Sequence, residues 1–218
     1  MPATGVPQVA VTITLGSGNP HKLKEVSAVL SALGVAVLPL PADRKIPEPY
    51  ETGSTFAENA RQKALYYADI LDCWCLADDS GLVVDALDGL PGVISARYAA
   101  DCCPANSSRK VIDCANNAKL LAVLTSVPDD RRTARFVCHL ALAAPGKILL
   151  ESSGKIEGRI LHAPAGENGF GYDPLFYVDE KGCTTAQLSS HDKNAISHRG
   201  CALRTFAKKL RILLAEME

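Results

Sequence analysis

The stretch ARFVCHLALAAPGKILLESSGKIEGRIL, residues 134–161, indicates which kind of β-sheet this chain forms. Two long apolar runs flank a Pro-Gly-Lys turn, which is the pattern of an antiparallel β-hairpin. Elsewhere strand-like and helix-like segments alternate, as is typical of parallel strands joined by helices. Because both patterns occur in one chain, we predict an α/β fold built on a mixed sheet.

The other elements are predicted from the spacing of apolar residues and from helix-capping residues. Apolar runs predict strands at residues 9–15, 35–40, 73–77, 82–87 and 172–178. Helices are predicted from Asn19 and Pro20 to Gly34, from the Thr55 and Glu58 capping box onward, at residues 108–124, and from Ser197 to Glu218. With these bounds, Asp78 and Asp79 fall in a loop at the end of a strand.

The bulk composition describes an ordinary globular chain. It has 218 residues, of which 47% are hydrophobic and 22% charged, so we expect one domain, bilobed at most. The formal net charge of -1 gives no general attraction to nucleic acids or anionic lipids. We therefore expect a small-molecule partner, and neither a nucleic-acid polymer nor a membrane.

The N-terminus and the cysteines indicate the cellular compartment. Residues 1–19 lack the basic start and the long apolar run of a signal peptide or membrane span, so we expect a soluble, cytoplasmic protein. The eight cysteines are scattered through a chain too large to need disulfides, which favours reduced thiols. Their spacing does not match zinc knuckles.

Paired carboxylates are the first candidate for chemistry. A single aspartate in such a loop often only caps a turn, but Asp78 and Asp79 are adjacent like charges that a cation would stabilise. Mg²⁺ is commonly bound by one or two carboxylates together with substrate phosphates. Glu51, in the loop before the capped helix, is a further candidate ligand, although solvent exposure also explains an acid there.

Two polar segments could bind an anion. The turn Ser17-Gly18-Asn19-Pro20-His21-Lys22 leads from a strand into a helix, where free N–H groups favour phosphate, although such a turn often serves only geometry. Lys193, His198 and Arg199 lie near the start of the last helix, where the helix dipole disfavours cations. A solvated helix face is the alternative for these cations.

Five ordered blocks together resemble one known family. The blocks SGNPHKLKEV, ETGSTFAENARQKA, LADDSGLVVDALDGLPGVISARYA, GENGFGYDPLFY and KNAISHRGCALR are similar in order and spacing to the inosine triphosphate pyrophosphatase family, which clears non-standard purine nucleotides. The resemblance implies a single bilobed domain over residues 1–218, in which two lobes of a long mixed sheet enclose an active-site cleft. It also implies a homodimer, dependence on Mg²⁺, and hydrolysis of ITP, dITP and XTP to the monophosphate and pyrophosphate.

The resemblance also implies roles for individual residues. Asp79 resembles the catalytic acid/base and a metal ligand, Glu51 a second metal ligand, and Asp78 a supporting carboxylate. The residues implied in triphosphate binding are Ser17, Gly18, Asn19, Pro20, His21, Lys22, Lys63 and Ser80. Those implied in base binding are Phe170, Gly171, Tyr172, Asp173, Lys193, His198 and Arg199.

Two departures and two alternatives accompany the resemblance. Ser17 stands where many members have threonine, and residues 101–109 differ from typical members. A pyrophosphatase for pyrimidine or modified nucleotides would use the same metal chemistry with another base pocket. A non-catalytic nucleotide sensor would need Lys22 but not Asp78, Asp79 and Glu51 together.

The residues support a mechanism. Either Asp78 or Asp79 would orient a water for in-line attack on the α-phosphorus, and the lysines would neutralise the leaving pyrophosphate. Arginine and lysine donate hydrogen bonds but never accept them, so a cationic pocket favours the C6 oxygen of hypoxanthine and xanthine over the amino group of adenine. We assign that donation to His198 and Arg199.

Overall fold

The computed structural model describes residues 11–217, apart from the side chain of His21. Its strands are β1 Thr12–Leu15, β2 Ala36–Leu38, β3 Cys75–Val84, β4 Thr133–Ala144, β5 Lys147–Ile160, β6 Phe176–Val178 and β7 Cys183–Thr184. Its α-helices are α1 Pro20–Leu30, α2 Phe56–Leu71, α3 Arg109–Val123, α4 Ser190–Ile196 and α5 His198–Ala215.

The strands form one mixed sheet with the order β2-β1-β3-β4-β5-β6-β7. The β1, β2 and β3 strands are parallel, whereas β3 to β7 are successively antiparallel. The β4–β5 pair is the hairpin predicted at residues 134–161, and it turns at Pro145 and Gly146. The prediction of an α/β fold on a mixed sheet is confirmed.

The order of the parallel strands creates a switch point between β1 and β3. The chain runs from β1 through α1 to β2 on one side, then returns through α2 to β3 on the other side of β1. Because such crossovers are right-handed, the two helices cover opposite faces of the sheet. In open α/β sheets, ligands bind beyond the carboxyl ends of the strands at such a point.

Three apolar clusters cover the sheet. One packs α1 and α5 on β1 through Ile13, Leu30 and Phe206, and a second packs α2 on the opposite face. That second contact uses small residues, including Ala60 and Ala64, so the helix backbone lies close to the strands. A third cluster joins α3 to the far end of β3 and to β6. The polar stretch 78–81 therefore lies between apolar regions at the two ends of β3.

The prediction that Asp78 and Asp79 lie in a loop between two strands is wrong. They lie inside one continuous strand, β3, because β4 pairs with it from Cys75 to Val84 without interruption. Aspartate and glycine disfavour strands, but the long partner strand overrides that local preference. The parallel partner β1 pairs with β3 only at Cys75 and Leu76. Asp78 and Asp79 thus lie just beyond the end of β1, where β3 has a neighbour on one side only.

The predicted helix ends are close to those observed. Thr55 caps α2 in a complete capping box with Glu58, and Ser197 caps α5. Residues 9–10 of the first predicted strand lie outside the described residues, as does the last residue of the final predicted helix. The strand predicted at 172–178 is shorter, because only Phe176–Val178 pairs with β5. The short helix α4, which carries Lys193, was not predicted.

Two further properties concern the described part of the chain. None of the helices within residues 11–217 has the length and apolarity needed to span a bilayer. All eight cysteines lie in this range and are free thiols.

Candidate functional site

Asp78 and Asp79 project from opposite faces of the sheet. Successive side chains of a strand alternate between its faces, so Asp78 lies on the side of α1 and α5 and Asp79 on the side of α2. The Asp78 carboxylate binds the ammonium of Lys22, at the start of α1, with an N–O distance of 2.7 Å. The Asp79 carboxylate binds Lys63, in the middle of α2, at 3.0 Å. Each carboxylate therefore has its own cation.

The Asp78 carboxylate is fixed within a buried charge network. Arg199, which is only 4% exposed, donates through Nε to Asp78 at 3.4 Å and through Nη1 to Glu25 at 2.8 Å. Its Nη2 donates to the Ser80 hydroxyl at 3.3 Å. Burial alone would raise the pKa of Asp78, but Lys22 and Arg199 hold that pKa well below its usual range. Asp78 is therefore a permanently charged anchor.

The Asp79 carboxylate has fewer cationic partners than the Asp78 carboxylate. Lys63 donates to it and also to Glu51, at 2.9 Å, so one ammonium lies between the two carboxylates. The buried amide of Asn59 donates to the second Asp79 oxygen at 3.1 Å and accepts from the Gly53 N–H. Burial raises the pKa of Asp79, and Lys63 offsets this only in part. Asp79 is thus the more basic of the two aspartates.

Two cations, Lys63 and Arg97, hold the Glu51 side chain in position. Burial would raise its pKa, but hydrogen bonds from Arg97 and the charge of Lys63 lower it. The Arg97 guanidinium donates to Glu51 at 2.8 Å. Glu51 therefore remains a carboxylate directed toward Lys63 and hence toward Asp79.

These carboxylates fit the expected Mg²⁺ chemistry. Within residues 11–217, no group of three or more His, Cys, Asp or Glu side chains is arranged to hold a metal ion. Glu51 and Asp79 nevertheless supply two hard oxygen donors that already converge on a cation, the Lys63 ammonium. Magnesium sites completed by substrate phosphates need only one or two carboxylates. The donor set therefore matches an ion that is held jointly with a substrate.

The turn after β1 lies beside this strand end. The Gly16 N–H donates to Leu76 at 2.8 Å, which holds the turn against β3, and the Ser17 hydroxyl accepts from the Asn19 N–H at 3.2 Å. A side chain at Gly16 would collide with the Tyr67 ring, whereas Gly18 faces open space. The structure thus brings the predicted turn and Lys22 to the carboxylates, while the His21 side chain lies outside the described residues.

A second group surrounds the glycine-rich loop. Asp173, 3% exposed, binds the Lys193 ammonium and accepts from the Thr185 hydroxyl at 2.9 Å. The same Lys193 lies 4.9 Å from the centroid of the Phe170 ring, which is 41% exposed. The Phe170 ring is thus partly exposed and has the Lys193 ammonium close to it. Tyr172 is instead buried in the apolar cluster under α3.

His198 and Arg199 are neighbours with different surroundings. The His198 ring stacks on Phe136, with centroids 5.0 Å apart. Burial, together with the charges of Arg199 and Lys193, lowers the pKa of His198 well below its usual value, so the ring is neutral at pH 7. Arg199 points toward Asp78. Its three guanidinium nitrogens donate to Asp78, Glu25 and Ser80. The structure therefore groups Arg199 with the carboxylates rather than with Phe170.

Several residues that complete these groups were not predicted. Asn59 is one helical turn before Lys63, so helical spacing on α2 could have indicated that both face Asp79. Arg97 and Glu25 lie within two of the five blocks, but neither was singled out, because one charged residue does not identify a partner that is distant in the chain. Thr185, beside Asp173, was not singled out either.

An open α/β sheet with carboxylates and lysines at its switch point defines a class of protein that binds a ligand at the strand ends. The chain belongs to the Ham1 family, which it matches over residues 13–209. The family predicted from the five sequence blocks is thereby confirmed.

Individual relatives match over nearly their whole lengths. The chain is 51% identical over 191 residues to the dITP/XTP pyrophosphatase of Geobacter sulfurreducens, covering 88% of this chain and 92% of that protein. It is 46% identical to the dITP/XTP pyrophosphatase of Desulforamulus reducens, covering 94% and 98%. The solved HAM1 protein from Coxiella burnetii superposes with a TM-score of 0.82 at 40% identity, covering 92% and 98%.

Proposed function

We propose that this chain hydrolyses deaminated purine nucleoside triphosphates, namely ITP, dITP and XTP, to the monophosphate and pyrophosphate. Eight relatives that bear the name dITP/XTP pyrophosphatase match it at 45–51% identity over most of both chains. The reaction would remove these nucleotides from the cytoplasmic pool. The active form would be a homodimer, as the family resemblance implies.

The observation that carries the proposal is the contrast between two adjacent carboxylates at the switch point. The pKa of Asp78 is held low by Lys22 and Arg199, whereas burial raises the pKa of Asp79. Two titratable groups whose environments separate their pKa values mark acid/base assignments. Asp78 is engaged by both Lys22 and Arg199 and anchors these cations, whereas Asp79 has Lys63 alone as its ion-pair partner among the described residues, so we assign Asp79 as the base.

The chemical step follows from that assignment. Asp79 accepts a proton from a water as the water oxygen bonds to the α-phosphorus, and the bond from that phosphorus to the bridging oxygen of the pyrophosphate breaks in line. Lys22 and Lys63 lie on opposite faces of β3 and can bind phosphate oxygens from either side. Their charge stabilises the leaving pyrophosphate. The proton of the water ends on the Asp79 carboxyl, the electrons of the broken P–O bond leave with the pyrophosphate oxygen, and the products are a monophosphate and pyrophosphate.

Glu51 and Asp79 are the residues that would hold Mg²⁺. When bound, the ion neutralises charge on the phosphate chain and on the leaving group. Lys63 now bridges these two carboxylates, so its ammonium is the group that would move onto a phosphate oxygen.

Base recognition is assigned to the second group. The exposed Phe170 ring offers a stacking face, and Lys193 and the neutral His198 offer hydrogen-bond donors for the oxygen at C6. Adenine, with an amino group at C6, would leave those donors unpaired. Since the Arg199 nitrogens are engaged with Asp78, Glu25 and Ser80, we now assign Arg199 to fixing Asp78 instead of the base.

Pyrophosphate release from a panel of triphosphates tests the proposal. The purified chain is assayed with dITP, XTP, dGTP, dATP and dUTP, with and without Mg²⁺. We expect release from dITP and XTP at rates at least tenfold above the others, and loss of release without the ion. Preferred release from dUTP would indicate the pyrimidine alternative. Binding without release would indicate a sensor, and either result would contradict the proposal.

A further inference from the structure

Helix α3 holds the glycine-rich loop at Gly171. Asp113 and Asn117 are one turn apart on α3, so they lie on the same face of that helix. The Gly171 N–H donates to Asp113 Oδ2 at 3.0 Å, and Asn117 Nδ2 donates to the Gly171 carbonyl at 2.8 Å. Both backbone polar groups of Gly171 are therefore bound by side chains of α3, and we call Asp113 and Asn117 together the clamp.

Gly171 directly follows Phe170, whose exposed ring belongs to the proposed base site. Gly171 has φ 62°, and a Cβ there would meet no atom within 4 Å, so packing does not fix this residue. On either side, the Phe170 N–H donates to Asp173 at 2.8 Å, and the Tyr172 hydroxyl donates to Ser95 at 2.9 Å. The backbone is thus held at Phe170 and Gly171 and the chain is anchored next to them by the Tyr172 side chain, while the Phe170 ring remains 41% exposed.

Two buried side-chain oxygens of Asp113 and Asn117 lack hydrogen bonds to the described residues. Within residues 11–217, the buried oxygens Asp113 Oδ1 and Asn117 Oδ1 have no hydrogen-bond partner. The Arg109 Nε lies 3.0 Å from Asp113 Oδ1 as an ion pair, outside hydrogen-bond geometry. Buried polar atoms are usually paired, so a helix that only packed on the sheet would be more stable with apolar residues at both positions. Among the described residues, the hydrogen bonds that these two side chains make both go to Gly171, so their polar groups act on the loop.

We propose that Asp113 and Asn117 are positioning residues for the purine base, which they orient by fixing the Gly171 peptide and with it the Phe170 ring. This inference rests on the proposed function and names a determinant of its base specificity. Neither side chain touches the phosphate chain in this account. Their loss should weaken base binding and leave phosphate binding unchanged.

Two nearly isosteric exchanges on the same helix face test the clamp. Asn117→Asp replaces the donor with a carboxylate oxygen facing the Gly171 carbonyl, whereas Asp113→Asn retains an acceptor for the Gly171 N–H. We expect Asn117→Asp to weaken IMP binding, measured calorimetrically without metal, by roughly tenfold or more, the effect of a lost hydrogen bond with repulsion added. Asp113→Ala should also weaken it, and Asp113→Asn should restore most of the affinity.

A second readout separates positioning from general structure. Inorganic tripolyphosphate binding should be unchanged in Asn117→Asp, and the KM for dITP should rise with kcat little changed. Asn117→Ala removes the donor without adding charge and carries the same expectation if Asn117→Asp does not fold. Wild-type IMP affinity in these variants, or equal weakening of IMP and tripolyphosphate, would overturn the inference. A wild-type chain that releases no pyrophosphate from dITP would instead refute the proposed function, and IMP binding would still report on the clamp.

Discussion

Asp78 and Asp79 are adjacent in the chain but bind lysines on opposite faces of the sheet, Asp78 to Lys22 at 2.7 Å and Asp79 to Lys63 at 3.0 Å. Strand geometry separates the two carboxylates, so each acquires its own set of partners. Asp78 binds two cations, Lys22 and Arg199, whereas Asp79 binds Lys63. Asp78 is therefore fixed, whereas Asp79 can accept a proton.

The Asp78–Arg199 contact should be strongly coupled. Replacing Asp78 with Ala leaves Arg199, 4% exposed, with Glu25 as its one remaining carboxylate partner within residues 11–217, and breaking a buried ion pair costs about 3–5 kcal/mol. Combining Asp78→Ala with Arg199→Met should cost less than the sum of the single changes. Urea unfolding of the three variants measures this, and strictly additive free energies would show that the two side chains do not interact.

His198 should make stability depend on pH. The folded pKa of His198 is lowered by burial and by Arg199 and Lys193, so the unfolded chain, with a pKa of about 6.5, binds the proton first. Its contribution is complete above that pH and is lost as the pH falls below it toward the folded pKa. His198→Phe should therefore lose less stability than the wild type between pH 7 and 5.

The matched control for this change is His191, whose side chain is 94% exposed. His191→Phe should retain the wild-type pH dependence of the unfolding free energy. Parallel curves for the wild type and His198→Phe would mean that the buried ring does not resist protonation.

Arg132 should stabilise the fold without affecting chemistry. It is 1% exposed and donates to the carbonyls of Leu124, Ile160 and Leu161, which join the end of α3 to the end of β5. Arg132→Ala removes these three hydrogen bonds and creates a cavity, so we expect a loss of about 3–5 kcal/mol. Thermal unfolding with assays of dITP turnover below the transition checks this. A fall in turnover of the folded variant would contradict a purely structural role.

Two glycines of the same loop should differ in their response to alanine. Both have positive φ, but a Cβ at Gly169 would overlap the Asp173 carboxylate, whereas one at Gly171 meets nothing. Gly171→Ala should therefore cost only the backbone strain of about 1 kcal/mol. Gly169→Ala should in addition raise the KM for dITP by displacing Asp173 and Lys193. Equal KM values in the two variants would separate Asp173 from base binding.

The sequence predicted the elements well where their structure depends on residues that are close together in the chain. Thr55 with Glu58 forms a capping box within one helical turn, and the Ser197 hydroxyl caps α5 by accepting from the Gly200 N–H. The hairpin of β4 and β5 followed from one turn between two apolar runs. These features depend on residues a few positions apart, so the sequence alone was sufficient.

The errors arose where a distant segment determines the conformation. Asp78 and Asp79 continue a strand because residues of β4, about 60 positions later, pair with them, and no local pattern contains that partner. For the same reason the candidate carboxylates were identified but not their faces or their pKa contrast. Asn117 was unpredictable, since its role depends on Gly171, which is distant in the chain and adjacent in the fold.

The turnover of Asp79→Asn on dITP with saturating Mg²⁺ tests whether Asp79 is the general base. The amide keeps the size of the side chain but cannot accept the proton of the attacking water, so we predict a loss of roughly two orders of magnitude or more in kcat with the fold intact. Asp101→Asn, at a side chain that is 76% exposed, serves as the control and should retain wild-type turnover. A kcat for Asp79→Asn within about threefold of the wild type, far smaller than the loss of a general base, would contradict the account.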